Sequence, residues 1–110
     1  MVVRVNPEQA RRLIDAGAVD IIDVRDAAEW ASGHIPGARL VELATLRENP
    51  RRAKLPRAGI LFVCAGGVRS QTAGRLAIEL GITLVYSLTG GTQSWMKAGL
   101  PLSNELSVAV

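Results

Sequence analysis

The run Ile60-Leu61-Phe62-Val63 constrains this chain more than any other stretch. Successive side chains of a strand point to opposite faces, so a strand of four apolar residues offers no face to water and needs cover on both sides. That requirement places it at the centre of a parallel sheet lying between helices. The rest of the chain supplies what such a sheet needs. Residues 19–24 and 83–86 are rich in branched side chains and read as further strands, and 38–41 as a short one. Asn6-Pro7-Glu8-Gln9 is a helix start, with Asn6 as the cap, Pro7 at the first helical position and Gln9 able to reach back. Ala10, Leu13 and Ile14 continue it as one apolar stripe up to Gly17. Asp26 is placed to cap a short helix through Glu29 and Trp30. Residues 43–48 read as another short helix, Ala73, Leu76, Ala77 and Leu80 form the stripe of a longer one closed by Gly81, and a last helix spans 92–98. Strands alternating with helices predict an α/β fold with a mainly parallel sheet.

A chain of 110 residues holds one domain, because domains typically run ~100–200 residues. The expected domain spans 1–102, with a loosely held tail over 103–110. Cys64 is the only cysteine and His34 the only histidine, so no disulfide can close within the chain and no four-ligand Cys/His zinc set exists. No metal site is expected. The opening residues lack the long apolar stretch of a secretory signal and no run is long enough to span a membrane, so a cytoplasmic, membrane-free protein is expected. The net charge of +3 is local: Arg47, Arg51, Arg52, Lys54 and Arg57 face one acid, Glu48, between positions 47 and 57. Such a segment is either a solvated connection or a docking patch for an acidic partner. With no binding motif or aromatic series beside it, it does not point to nucleic acid.

Cys64 follows the central strand directly, where open α/β sheets bind their ligands. Gly66 and Gly67 allow a tight curl that turns successive N–H groups of residues 65 to 70 towards one point, which the sulfur can occupy. A helix starting near Ser70 adds its positive end, and Arg69 a full charge able to grip an oxyanion. The same surroundings favour an ionised, nucleophilic sulfur over a neutral thiol. The competing reading is an inert buried cysteine, which needs neither two glycines nor an arginine after it.

Cys64-Ala65-Gly66-Gly67-Val68-Arg69-Ser70 resembles the active loop of single-domain rhodaneses, the thiosulfate sulfurtransferase family. The resemblance continues through Ile22-Asp23-Val24-Arg25-Asp26 with Glu29-Trp30, Gly33-His34-Ile35-Pro36-Gly37-Ala38, and Val85-Tyr86-Ser87-Leu88-Thr89-Gly90-Gly91 with Trp95. It implies a three-layer α/β domain with a five-stranded parallel sheet. It also implies a Cys64 nucleophile that takes a sulfane sulfur from thiosulfate or a persulfide and passes it to cyanide or a thiol. The backbone amides of Ala65, Gly66, Gly67, Val68 and Arg69 are then the cradle of that sulfur, and no cofactor is required. Many relatives carry Arg and Ser where this chain has Ala65 and Gly66, so one cation that could hold thiosulfate is missing. A sulfur-relay carrier docking on a partner protein is the alternative. Phosphatases and arsenate reductases with a cysteine loop also resemble this arrangement, but their loop is one residue longer between Cys and Arg. Sulfite departs as a stable anion, whereas an alkoxide often needs an acid to protonate it, so the shorter loop favours sulfur.

The neighbours of the loop carry less chemistry. Arg69 either holds the donor's anionic end or braces the loop against an acid, and Arg25 is either a second anion contact or the partner of Glu29 four residues on. Asp23, at the end of an apolar strand, must be paired if buried and reads as structural. His34 lies in a proline turn that is architectural in the family. Trp30 and Trp95 read as core, and Gly90-Gly91 as a turn.

Overall fold

The computed structural model describes residues 1–105, so positions 106–110 of the expected tail lie outside the described residues. Five strands form one sheet: β1 (Val3–Val5), β2 (Asp20–Asp23), β3 (Arg39–Leu40), β4 (Ala58–Val63) and β5 (Thr83–Leu88). Every pairing is parallel, and the order across the sheet is β1-β5-β4-β2-β3. The helices are α1 (Pro7–Asp15), α2 (Ala27–Ser32), α3 (Leu43–Glu48), α4 (Pro50–Ala53), α5 (Arg69–Glu79) and α6 (Gly91–Lys97).

The apolar run does take the central position, and its alternation divides the interior in two. Ile60, Phe62 and Cys64 share one core with Ile22, Val85, Leu46 of α3 and Ala73 and Ala77 of α5. Leu61 and Val63 face the other way, into a core with Ala10 of α1, Trp95 of α6, Ile21 and Leu88. Burying each such large side chain contributes about 1.5–3 kcal/mol, so the two-faced strand is the main tie between the layers.

Local signals in the sequence act as expected at both capped helices. Asn6 Oδ1 accepts from Gln9 N–H at 2.8 Å while Gln9 Oε1 accepts from Asn6 N–H at 2.9 Å. Asp26 and Glu29 form the same reciprocal box at the start of α2. Two elements are absent from the sequence reading. The edge strand β1 precedes α1 and pairs with β5, and α4 folds inside the basic connection, where Arg39 donates to the terminal carbonyls of Ala53 and Lys54. Ser103 is tied to His34 by two backbone hydrogen bonds, N–H to O in each direction at 2.8 and 2.7 Å.

From β2 the chain moves outward to β3, and from β4 it moves to β5 on the other side. The connections therefore diverge between β2 and β4, and α/β sheets bind their ligands beyond the carboxyl ends of the strands at such a switch point. Cys64 stands at that switch point, one residue past β4.

Candidate active site

The Cys64 side chain continues the β4 alternation into the layer of α5, which brings its sulfur beneath the loop leading into that helix. Gly67 N–H donates to Cys64 Sγ at 3.1 Å and Ser70 N–H donates at 3.3 Å. Ser70 is the second residue of α5, and the preceding Val68 has no side chain able to cap the helix. The sulfur occupies the capping acceptor's place and receives the positive end of the helix dipole. Cys64 is only 1% exposed, so access does not distinguish it from an inert core thiol. Its polar partners do: two backbone donors converge on one sulfur, which an apolar core would not supply.

The cradle differs in detail from expectation. Among the five amides predicted from Ala65 to Arg69, Gly67 N–H is the one hydrogen-bonded to the sulfur, and the second donor is Ser70. The two glycines also differ. Gly67 has φ +98°, and a Cβ there would lie 2.8 Å from Gly90 N and 3.3 Å from Leu88 O. Gly66 has open space around it and no left-handed backbone, so the curl depends on Gly67 alone. Gly66 and Val68 are exposed at the outer rim.

Gly90 and Gly91, read from sequence as a turn, seat α6 against the loop. A Cβ on Gly91 would lie 2.2 Å from Cys64 O and 2.5 Å from Ala65 C and O, and the next two amides donate to those carbonyls, Thr92 to Cys64 at 2.8 Å and Gln93 to Ala65 at 3.2 Å. From the other side, Gln71 Nε2 donates to Gly67 O at 3.0 Å.

Arg69 braces. Its Nη1 and Nη2 donate to the two carboxylate oxygens of Glu29 at 2.8 and 3.0 Å, joining α5 to α2. The hydrogen bond from Arg69 holds the Glu29 carboxyl at about 2, against partial desolvation and with help from Asp26 N–H. The same bond raises Arg69 above its ordinary value, and the nearby Cys64 charge acts in that direction as well.

Arg25 pairs with Asp23 instead of Glu29. It is 6% exposed, and its Nε and Nη2 grip the Asp23 carboxylate at 2.8–3.1 Å while Nη2 also donates to Gly33 O. Glu29 pairs with Arg69. A two-residue spacing across the end of β2 brings Asp23 closer than Glu29, and Asp23, fully buried, needs the charge. His34 is architectural: its ring stacks on Trp30 at 3.8 Å and Nδ1 pairs with Trp30 O at 2.8 Å. Trp95 is fully buried and donates to Pro101 O.

The basic segment lies elsewhere. Leu43 N–H meets Val24 O at the carboxyl end of β2, but the chain then runs back to the start of β4, where Arg57 O accepts from Thr83 N–H. The segment thus ends at the amino end of β4, the other end of the strand from Cys64. One residue at the site entered the sequence reading only as part of a matching block, with no role of its own. Ser87 of β5 is 1% exposed, and its Oγ lies 2.8 Å from Ser70 Oγ, which lies 3.5 Å from Cys64 Sγ. Nothing in its local sequence sets it apart from any other strand serine.

The chain is similar to known proteins. Residues 6–98 match the family described as Rhodanese-like domain. The chain is 38% identical to the thiosulfate sulfurtransferase GlpE of Pseudomonas fluorescens over 84% of its own length and 83% of the relative's. With the protein of that name from Pseudomonas aeruginosa it shares 39% over 84% and 82%. A rhodanese-related protein from Thermoplasma volcanium superposes with a TM-score of 0.82 at 30% identity, covering 94% of this chain and 99% of that one. Among the described residues, no helix is long and apolar enough to cross a membrane.

Proposed function

From its membership of the rhodanese-like domain family, we infer that this chain is a sulfurtransferase that carries its sulfur as a persulfide on Cys64. The observation that carries the assignment is the convergence of Gly67 N–H and Ser70 N–H on Cys64 Sγ at the start of α5. Those donors stabilise negative charge on sulfur in both resting states, the thiolate and the persulfide.

The transfer runs in two displacements. Cys64 thiolate attacks the outer sulfur of thiosulfate, a sulfur–sulfur bond forms, and sulfite leaves with the electron pair of the bond that breaks. Cyanide or a thiolate then attacks the outer sulfur of the persulfide and carries it away, and the Cys64 thiolate is restored. Neither step needs an external oxidant, and sulfite leaves without a proton, so no acid is required at the site. The persulfide of a small thiol serves as donor by the same displacement. Arg69, held by Glu29, fixes the helix start that supplies the Ser70 amide, while Asp23 and Arg25 fix the end of the neighbouring β2. A lone thiol working in this way suits a reducing compartment such as the cytoplasm.

Thiocyanate formation from thiosulfate and cyanide tests the assignment. The wild-type chain should show double-displacement kinetics, and Cys64→Ser should show no turnover. Turnover that survives that substitution would remove Cys64 from the mechanism.

A further inference from the structure

Two hydroxyls are buried on the Cys64 face of the sheet. Ser87 follows Val85 by two residues along β5 and so shares its face, which packs against Phe62, Ala73 and Cys64. Ser70 is 0% exposed and Ser87 1%, and a buried hydroxyl is costly unless it is hydrogen-bonded. Their oxygens are 2.8 Å apart, and Ser70 Oγ is 3.5 Å from the sulfur. Among the described residues, Ser70 Oγ is the hydrogen-bond partner of Ser87 Oγ.

Resting on the assignment of Cys64 as the reactive sulfur, we propose that Ser87 is a positioning residue that holds the Ser70 hydroxyl as a hydrogen-bond donor to Cys64 Sγ. The reason is the count of hydrogens along the chain of three atoms. When it points towards sulfur, Ser87 O–H donates to Ser70 Oγ and Ser70 O–H donates to Sγ, so both hydroxyl hydrogens are used. When it points away, the thiol donates to Ser70 and Ser70 donates to Ser87, which leaves the Ser87 hydrogen in the core without an acceptor. The chain is therefore complete when the sulfur carries no proton. Both the thiolate and the inner sulfur of a persulfide meet that condition, so the hydroxyls keep one orientation through both displacements. Ser70 then supplies two donors, its N–H and its O–H, and Ser87 polarises the second.

The test is the pH dependence of alkylation of the full-length chain by iodoacetamide, which reads the sulfur whether or not sulfur transfer occurs. Removing a hydrogen bond to a charged atom in Ser70→Ala should slow alkylation at neutral pH about ten-fold. Ser87→Ala, which removes only the polarising partner, should slow it roughly two- to three-fold and move the half-maximal rate to higher pH. Ser87→Thr, which keeps the hydroxyl on a strand, should restore the wild-type profile. If Ser87→Ala lowers the melting temperature but leaves the pH profile in place, Ser87 is only core filling and the proposal fails. It also fails if Ser87→Thr behaves as Ser87→Ala does.

Discussion

Substituting Gly91 tests whether the loop geometry depends on contacts outside the loop. Gly91 has φ +59°, and alanine in that region costs about 1–2 kcal/mol. Its Cβ would meet the Cys64 and Ala65 carbonyls at 2.2 and 2.5 Å, atoms of backbone that no rotamer change can move aside. Relief means separating α6 from the loop, which breaks the Thr92 to Cys64 and Gln93 to Ala65 hydrogen bonds, at about 1 kcal/mol each. Gly91→Ala should therefore lose about 3–4 kcal/mol in urea unfolding, a drop of roughly 10 °C or more in melting temperature for a domain of this size. Because the displaced carbonyls flank Cys64, the surviving folded fraction should also transfer sulfur more slowly. Gly66→Ala is the control: open space and an ordinary backbone predict a change within about 0.5 kcal/mol. Equal stability of the two variants would refute the reasoning, because it rests on contact at Gly91 and on none at Gly66.

The Glu29–Arg69 pair gives a pH-dependent prediction. Glu29 is held at about 2 against an ordinary value of 4.5, so its contribution is complete above pH 4.5 and fades as pH falls towards 2. With both side chains about one-third exposed, solvent screening limits it to about 1 kcal/mol. Glu29→Gln should thus be less stable than wild type by that amount at pH 7 and indistinguishable near pH 2 by urea unfolding, and a difference independent of pH would contradict the pairing. Asp23→Asn strands the buried Arg25 charge and should cost about 3 kcal/mol by the same assay. A loss below about 1 kcal/mol would show that Arg25 finds another partner.

How far the sequence disclosed the molecule depends on the range of each interaction. The central strand, the capped helices and the cysteine loop were legible because their signals are local: an apolar run, a reciprocal cap three residues apart, and a cysteine followed by Gly66-Gly67. β1 was not, since two of its three residues are exposed and its strand character comes from pairing with β5 at the far end of the chain. α4 carries one buried residue and leans on Arg39, so its four residues look like any basic connection. At the site, the Arg69–Glu29 pair joins positions forty residues apart. Sequence left Arg69 with two roles and offered Glu29 as one of two partners for Arg25, and the folded chain pairs Arg69 with Glu29 and Arg25 with Asp23. Ser87 reaches the sulfur through Ser70 across two elements, a link that no spacing rule reports.

The most direct measurement is the intact mass of the chain after exposure to thiosulfate or a small-thiol persulfide. The mass should rise by one sulfur atom, return to its starting value with dithiothreitol, and stay unchanged in Cys64→Ser. A wild-type chain that never gains the sulfur, or a Cys64→Ser chain that does, would contradict the assignment.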